Sequence, residues 1–215
     1  MKTKSSLFLK YLYKHYEDAK CALNFGNDLE CLVAILLSAQ TTDESVNKVT
    51  PSLFETFKSA EDFKNASLTD IEDKIHSLGL YRNKAKSLKN LGTVLSDKYN
   101  GQIPHNFDIL KTLPGVGVKT AGVFLLERGD RPAIPVDTHV TRVSQRLGYA
   151  KNSDIPIKIE AKLEKEFPKE EWKFLHHAMI IFGRKECKAI KPICSRCEMK
   201  GYCSYFKKTS STTDK

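Results

Sequence analysis

A lysine stands directly after a short turn of proline and glycine, in the segment Leu113-Pro114-Gly115-Val116-Gly117-Val118-Lys119. Proline fixes φ, and glycine adopts positive φ at little steric cost, so this composition predicts a tight turn between two helices. The second helix is predicted to begin near Val118, with Lys119 in its first turn. The positive end of the helix dipole and desolvation would both disfavour the protonated amine there. A neutral lysine amine is the kind of nucleophile that forms Schiff bases.

The turn itself suits an anion. Backbone N–H groups at a helix N-terminus have no helical partner, and they bind phosphate without recognising base sequence. Gly115 and Gly117 are therefore predicted to bring the backbone against a nucleic-acid phosphate. For a G-x-G segment alone, the alternative interpretation is a helical corner closed by a glycine cap, with Lys119 as an ordinary phosphate contact.

Asp137 follows Lys119 by 18 residues, in the segment Val136-Asp137-Thr138-His139. It is predicted to be the N-cap of a helix over 138–147, because an aspartate before a periodic apolar run accepts N–H bonds from the first helical turn. A cap uses one carboxylate oxygen and leaves the other for chemistry. Such a carboxylate could stabilise positive charge that develops on a sugar and could assist proton transfer.

Four of the six cysteines lie within 17 residues and are spaced C-x6-C-x2-C-x5-C: Cys187, Cys194, Cys197 and Cys203. Clustered thiols in an intracellular protein indicate a metal site rather than disulfides. Four thiolates suit either zinc or an iron–sulfur cluster, and the residues alone leave both open. The intervening segment is basic, with Lys188 and Lys191. As a plain charge run it would be a solvated face.

Together, the LPGVGVKTA segment, the Asp137 element and the cysteine spacing resemble the endonuclease III family of DNA glycosylases. In that family the turn is a helix-hairpin-helix motif, its lysine is the nucleophile and the aspartate is its catalytic companion. The resemblance implies these roles for Lys119 and Asp137. It implies a bifunctional DNA glycosylase and AP lyase of base excision repair, which excises oxidised pyrimidines through a lysine Schiff base. The same enzyme would cleave the strand 3′ to the abasic site by β-elimination.

The resemblance also implies a cofactor and further DNA contacts. A 4Fe–4S cluster would be held by Cys187, Cys194, Cys197 and Cys203. Lys188 and Lys191 would present positive charge to the DNA backbone. Gln40 and Leu80, at helix junctions, would fill the space left by a nucleotide extruded from the duplex. For Leu80, the sequence equally allows a hydrophobic contact after the helix-ending Gly79.

Two other functions fit parts of this pattern. An adenine glycosylase shares the hairpin and the cluster, but it lacks the lysine nucleophile, carries a catalytic glutamate near the position of Ile35, and has a long extra C-terminal domain. A non-enzymatic DNA-binding module would combine the hairpin with a zinc knuckle. Borohydride trapping on abasic DNA separates an enzyme from such a module. Val118 departs from the family, whose members often carry a basic residue there.

The elements that must position these residues are predicted to be helices. Glycines and prolines punctuate periodic segments of about 8 to 20 residues, and no alternating run persists. Residues 29–38 are apolar nearly all round, which predicts a central buried helix. Thr41 is predicted to cap a helix that restarts at Pro51, and Ser59 and Ser67 to cap two short helices.

The predicted fold is all-α, with two helical subdomains, a helix-hairpin-helix motif and a C-terminal cluster loop. The first subdomain comprises residues 22–132 and contains the hairpin. The second comprises residues 1–21 plus 133–215 and contains the cluster. The lysine-, serine- and threonine-rich tail from residue 207 is predicted to be disordered.

Composition limits the class of partner. The chain has 215 residues, is 40% hydrophobic and carries a formal net charge of +9, which favours a folded protein that meets a polyanion. Its longest apolar run, residues 32–39, is far shorter than the roughly 20 residues that span a bilayer. The N-terminal residues lack a signal-peptide core, which predicts a soluble intracellular protein. The resemblance implies a cytoplasmic, nucleoid-associated bacterial monomer that binds double-stranded DNA with damaged bases or abasic sites.

Overall fold

A computed structural model of the chain describes residues 3–129 and 133–210. Within these ranges the chain forms α-helices joined by turns and three 3-10 segments, and it forms no strand, so the predicted all-α class is confirmed. The helices are α1 (Lys4–Tyr16), α2 (Asp28–Leu37), α3 (Asp43–Thr56), α4 (Ala60–Asn65), α5 (Leu68–Ile75), α6 (Tyr81–Tyr99), α7 (Phe107–Leu110), α8 (Val118–Arg128), α9 (Thr138–Leu147), α10 (Pro156–Glu166), α11 (Trp172–Lys185) and α12 (Ser204–Ser210). None of these helices is both long enough and apolar enough to cross a bilayer.

The chain divides into two compact units. One is Cys21–Arg131, which contains α2 to α8. The other joins Met1–Lys20 to Pro132–Lys215 and contains α1 and α9 to α12. The N-terminal helix therefore packs in the same unit as the C-terminal helices, although the whole of the first unit separates them in sequence.

Helix α2 lies at the centre of the Cys21–Arg131 unit. Every residue from 31 to 37 is buried, which confirms the central helix predicted from an apolar sequence with no polar face. The longer α6 presents a stripe to the same core, on which Ala85, Leu88, Leu91 and Leu95 are buried. The apolar core of this unit is thus built around α2 and α6.

Helix caps follow the sequence at two places and differ from it at a third. Ser59 and Ser67 each form a reciprocal capping box with the aspartate three residues later, as predicted. Helix α3, however, is capped by Thr42, whose Oγ1 accepts from the N–H of Ser45 at 3.2 Å, and not by Thr41. It also continues through Pro51 instead of restarting there, because buried residues on both sides of the proline hold one helix against the core.

The second unit has an aromatic core. Phe8 and Tyr11 of α1 contact the ring of Phe182 on α11, with ring centroids 5.8 and 5.7 Å apart. Helix α12 covers residues 204–210, so the prediction of disorder from residue 207 is wrong for 207–210. Tyr205 and Phe206, at the start of that helix, pack on the core and thereby anchor it. Residues 211–215 lie outside the described part of the chain.

Candidate functional site

The proline–glycine turn forms a hairpin between α7 and α8. Helix α8 begins at Val118, as predicted, and its N-cap is Gly117. Glycine has no side chain with which to cap, so no side-chain hydrogen bond covers this helix N-terminus. At the start of α7, by contrast, the Asn106 side chain accepts two backbone N–H bonds at 3.0 Å. The N-terminus of α8 is therefore open to an external anion.

The two hairpin glycines serve different structural purposes. Gly115 has φ +77°, and a Cβ there would lie 2.8 Å from Leu36 Cδ1 and 2.8 Å from Ser87 Cβ. Glycine is therefore required at 115 both for backbone conformation and for close packing on α2 and α6. Gly117 has an ordinary extended conformation, with φ −92°, and a Cβ there would meet no atom within 4 Å. The space over Gly117 is open, so its backbone is accessible.

Lys119 is exposed in the first turn of α8. The opposite face of the helix is buried through Ala121, Phe124 and Leu125, which fixes the direction in which the lysine projects. The desolvation expected from the sequence is not found in the protein alone, because this position faces solvent. The other predicted feature is present, because Lys119 does lie at the N-terminus of α8.

The far end of α8 is tied to α2 by charged groups that sequence analysis did not identify. Asp28, in the first turn of α2, accepts from Arg128 Nε at 2.5 Å and contacts His105 Nε2 at 2.6 Å. Arg128 is the last residue of α8, and His105 lies just before α7. One carboxylate therefore holds both helices of the hairpin motif. No sequence signal pairs these residues, because they are 77 or more positions apart from Asp28.

Asp137 is the N-cap of α9, as predicted. Its Oδ1 accepts from the N–H of Val140 at 2.7 Å, and the residue is half-buried. This bond fixes the orientation of the carboxylate at the start of the helix. Asp137 belongs to the second unit, whereas Lys119 belongs to the first.

Gln40 and Leu80 share an unusual backbone conformation. Their φ angles are +54° and +60°, and both side chains are exposed, Leu80 to 55%. Leu80 is the N-cap of α6 and projects outward, so the hydrophobic contact that the sequence allowed after Gly79 is not formed. The two loops are neighbours, since a Cβ on Gly79 would lie 3.9 Å from the carbonyl oxygen of Gln40. A non-glycine residue in this region costs about 1–2 kcal/mol and marks a functional candidate.

Lys84, another residue that the sequence analysis missed, connects these two loops. It is 5% exposed, and loss of hydration through burial lowers the pKa of its ammonium group. Its Nζ donates to Thr41 Oγ1, and its backbone N–H donates to the Leu80 carbonyl at 3.1 Å. The sequence did contain a signal for Lys84. It lies on the same face of α6 as Ala85 and Leu88, so a helix packed on that face buries the lysine as well.

The four clustered cysteines line a single cavity in the second unit, together with apolar residues that include Leu147 and Phe182. Among the described residues, no three Cys, His, Asp or Glu side chains are arranged around one metal-ion position. Burial raises the pKa of Cys187 and Cys194, and it raises that of Cys197 to about 11. These thiols thus need an added positive charge to ionise, as a metal centre provides.

Two arginines of α9 hold the loop that follows the first of these cysteines. Arg142 Nε donates to the Cys187 carbonyl at 2.9 Å, and Arg146 donates to the carbonyls of Lys188 at 2.6 Å and Ala189 at 3.0 Å. Arg146 Nη1 also lies 3.5 Å from the Cys187 sulfur. Sequence analysis missed this pair, although its i, i+4 spacing on an amphipathic helix was visible.

The predicted basic residues of this loop are on the surface. Lys188 and Lys191 are exposed, and Lys191 has φ +52°, the third left-handed non-glycine position among the predicted DNA contacts. Ile190, between them, is 81% exposed. The loop therefore projects two cations into solvent from a backbone that α9 fixes.

Comparison with known proteins agrees with this arrangement. The model of the HhH-GPD superfamily base excision DNA repair proteins matches residues 33–169. Endonuclease III of Bacillus subtilis (strain 168) is 44% identical over 188 residues, which are 87% of this chain and 86% of that protein. Endonuclease III of Synechocystis sp. is 41% identical over 203 residues, 94% of this chain and 92% of that protein.

A solved structure of a trapped endonuclease III–DNA covalent intermediate, the estranged-adenine complex, has the same fold. It superimposes with a TM-score of 0.90 at 46% sequence identity and covers 98% of this chain and 100% of that one. Both the sequence and the helical arrangement therefore match over nearly the whole length. The chain belongs to the HhH-GPD superfamily of base excision DNA repair proteins, and within it to the endonuclease III family.

Proposed function

We propose that this chain is a bifunctional DNA glycosylase and AP lyase that acts on duplex DNA with oxidised pyrimidines or abasic sites. The observation that carries the proposal is the position of Lys119, exposed in the first turn of α8 and directly after a helix N-terminus that no side chain caps. In this proposal the Lys119 amine is the nucleophile, and the N–H groups beside it would bind a phosphate of the same strand. Family membership supports the activity.

The reaction begins with the amine of Lys119. Its nitrogen attacks C1′ of the damaged nucleoside, the bond from C1′ to the base breaks, and the base leaves with the electron pair and takes up a proton. Opening of the sugar ring leaves an iminium between C1′ and the lysine nitrogen. Loss of a proton from C2′ then breaks the bond from C3′ to its oxygen, and the 3′ phosphate departs. The bound strand supplies the desolvation that the exposed Lys119 lacks.

Asp137 acts as the companion of Lys119 in this proposal. Its carboxylate stabilises positive charge that develops on the sugar and takes part in proton transfer. The cap bond from Val140 supports this role, because it fixes the orientation of the carboxylate. An Asp137→Asn variant retains a cap oxygen and removes the charge, so it separates catalysis from helix capping.

DNA binding would use the hairpin backbone together with Gln40 and Leu80. The open space at Gly117 admits a phosphate oxygen to the N–H groups of α8, while Gly115 holds the hairpin on the core. Gln40 and Leu80 would fill the space left by the extruded nucleotide, for which their exposed side chains and fixed backbones are suited.

Four thiolates suit either a zinc ion or a 4Fe–4S cluster, and membership of the endonuclease III family favours the cluster. We therefore propose that a 4Fe–4S cluster is bound by the four cysteines that line this cavity, namely Cys187, Cys194, Cys197 and Cys203. When bound, the cluster supplies a rigid crosslink for the loop, from which Lys188 and Lys191 contact the DNA backbone.

The two predicted subdomains would then have distinct tasks. Residues 22–132 would supply the hairpin and the nucleophile, and residues 1–21 plus 133–215 would supply Asp137 and the cluster. A repair enzyme that works on the chromosome would reside in the cytoplasm, at the bacterial nucleoid.

Covalent trapping tests the proposal. Borohydride reduction of a mixture with abasic duplex DNA should give a covalent protein–DNA adduct, because it reduces the iminium to a stable amine. Lys119→Gln should form no adduct, whereas the matched exposed-lysine variant Lys98→Gln on α6 should trap like the wild type. A wild-type protein that binds the duplex and gives no adduct would instead support a non-enzymatic DNA-binding module.

An adenine glycosylase is disfavoured by a second observation. The position at which that group carries a catalytic glutamate is occupied by Ile35, which is buried in α2 and is 5% exposed. An aliphatic side chain cannot transfer a proton to a departing base. Excision of adenine from a mismatch by the wild-type protein, without strand cleavage, would contradict this assignment.

A further inference from the structure

The backbones of Gln40 and Leu80 are strained, and their own side chains do not hold them in that conformation. Gln40 and Leu80 lie in the left-handed region, which residues other than glycine occupy only where the surrounding structure enforces it. Both side chains are exposed, so burial of these side chains cannot be the restraint. Neighbouring groups must therefore hold the two backbones.

The side chain of Lys84 connects the loop that carries Gln40 to the start of α6, which Leu80 caps. Its Nζ donates to the hydroxyl of Thr41, whereas its backbone N–H forms the first helical bond of α6, to the carbonyl of Leu80 at 3.1 Å. The Thr41 hydroxyl in turn contacts the carbonyl of Ala39 at 3.4 Å. This chain of polar contacts engages the residues on both sides of Gln40, and it begins one turn after Leu80.

Packing alone does not explain a lysine at this position. Lys84 is 5% exposed and precedes Ala85 on the buried face of α6, where an aliphatic residue would pack without losing hydration of a charge. The terminal amine must therefore contribute through what it contacts, and it donates a hydrogen bond to the Thr41 hydroxyl beside Gln40.

We propose that Lys84 is a positioning residue whose terminal amine, through Thr41, holds the loop of Gln40 on the start of α6, so that Gln40 and Leu80 form one preformed unit for insertion into the opened duplex. Insertion of two separately mobile side chains would require both loops to become ordered during binding. A preformed pair avoids that entropic cost. The inference rests on the proposed function, in which Gln40 and Leu80 fill the space of the extruded nucleotide.

Three variants isolate the contact. Lys84→Met keeps the length of the side chain and removes its donor, Thr41→Val keeps the shape and removes the acceptor, and Thr41→Ser restores the hydroxyl. Lys86→Met is the matched control, because Lys86 is exposed on the same helix. Circular dichroism establishes that each variant is folded before it is assayed.

The first measurement compares two duplexes that differ in one residue. Thymine glycol, an oxidised pyrimidine, is placed opposite adenine in one and opposite a tetrahydrofuran abasic analogue in the other, which has no base for Gln40 or Leu80 to contact. Lys84→Met and Thr41→Val should lower kcat/KM about tenfold opposite adenine and less than threefold opposite the analogue. Thr41→Ser and Lys86→Met should remain within threefold of the wild type on both. An equal loss on both duplexes would overturn the proposal, because a general structural defect acts on both alike.

The second measurement needs no enzymatic activity. Amide hydrogen exchange in the free protein should accelerate at least fivefold at residues 39–41 in Lys84→Met, where the side-chain contact is lost, with the hairpin at 111–117 unchanged. Unchanged exchange at 39–41 would overturn the positioning role, whatever the activity. A wild-type protein that neither excises nor traps, but shows this exchange pattern in the variant, would contradict the proposed function and leave the restraint itself established.

Discussion

The hairpin and the cysteine loop reach a defined conformation by different means. The hairpin is a backbone structure: it is seated on α2 and α6 by a glycine that only fits without a Cβ, and it is bounded by helices at both ends. The cysteine loop has three-residue 3-10 segments as its regular structure, and arginine side chains from α9 hold its carbonyls. The hairpin is therefore held by backbone and core packing, whereas the loop depends on side chains and, in the proposed function, on a cofactor.

This difference predicts how a substitution in each region should affect the protein. A change in the hairpin should act locally on DNA contact or on packing with the core, without reference to metal. A change in the cysteine loop should act first on cofactor retention and only then on DNA affinity. The variants that follow test this division, beginning with the one expected to have the largest effect.

Cys194→Ser should have the largest effect, because it removes a ligand of the proposed cluster. Binding of a structural metal centre contributes on the order of 10 kcal/mol to folding of the segment that holds it. We expect loss of visible absorbance, a lower Tm and weaker DNA binding. Trapping per bound DNA should remain within about threefold, because Lys119 lies in the other unit. A normal Tm together with a colourless protein would refute the dependence of the loop on a cofactor.

Gly115→Ala should be the most damaging single change in the hairpin. A Cβ there would lie 2.8 Å from Leu36 and Ser87, and the φ of +77° disfavours any L side chain. These two effects together predict a loss of about 2–4 kcal/mol in the free energy of unfolding, measurable by urea denaturation. Visible absorbance should persist. Loss of the absorbance would show that the two regions are not independent.

Arg146→Met should affect the cysteine loop rather than the hairpin. It removes hydrogen bonds to the carbonyls of Lys188 and Ala189 and leaves those acceptors without the guanidinium. Charged hydrogen bonds of this kind contribute about 1.5–3 kcal/mol, so bleaching of the cluster by a chelator should accelerate about tenfold or more. Urea stability of the hairpin unit should not change. Bleaching at the wild-type rate would mean that the cysteines alone fix the loop.

Tyr11→Phe combined with Tyr16→Phe should have a smaller effect on the same unit. Both hydroxyls donate to the carboxylate of Glu186, the residue before Cys187, and hydrogen bonding to this carboxylate together with burial keeps the pKa of both phenols raised. Loss of both donors should lower Tm by a few degrees, since each bond contributes about 1 kcal/mol. The matched variant Tyr13→Phe, in which an exposed tyrosine loses its hydrogen bond to Glu171, should leave Tm unchanged.

Gly117→Ala should change stability least. Its backbone is already extended, and a Cβ there meets no atom within 4 Å, so only about 1 kcal/mol of N-cap preference is at stake. The methyl group would occupy the open space through which a phosphate approaches. DNA affinity should therefore fall about tenfold in a fluorescence-anisotropy titration while Tm stays nearly constant. Unaltered affinity would count against phosphate binding at this turn.

Local elements were predictable because their signals are local. The start of α8 at Val118, the N-cap at Asp137 and the capping boxes at Ser59 and Ser67 each depend on residues within one helical turn. The choice of Thr42 over Thr41 as the cap of α3 was not predictable. The two neighbouring threonines are equivalent in sequence, and it is the distant Lys84 that engages the hydroxyl of Thr41.

The same distinction applies to the candidate site. Motif spacing identified Lys119, the four cysteines and the residues at the helix junctions, because the order of residue types is sufficient for that. The left-handed backbones at Gln40 and Leu80, the exposure of Lys119, and the pairing of Asp28 with Arg128 depend on residues far apart in the chain. Such contacts follow from packing, which composition and periodicity do not encode. The chain order thus specified which groups take part, and folding specified the backbone strain and solvent contact with which they do so.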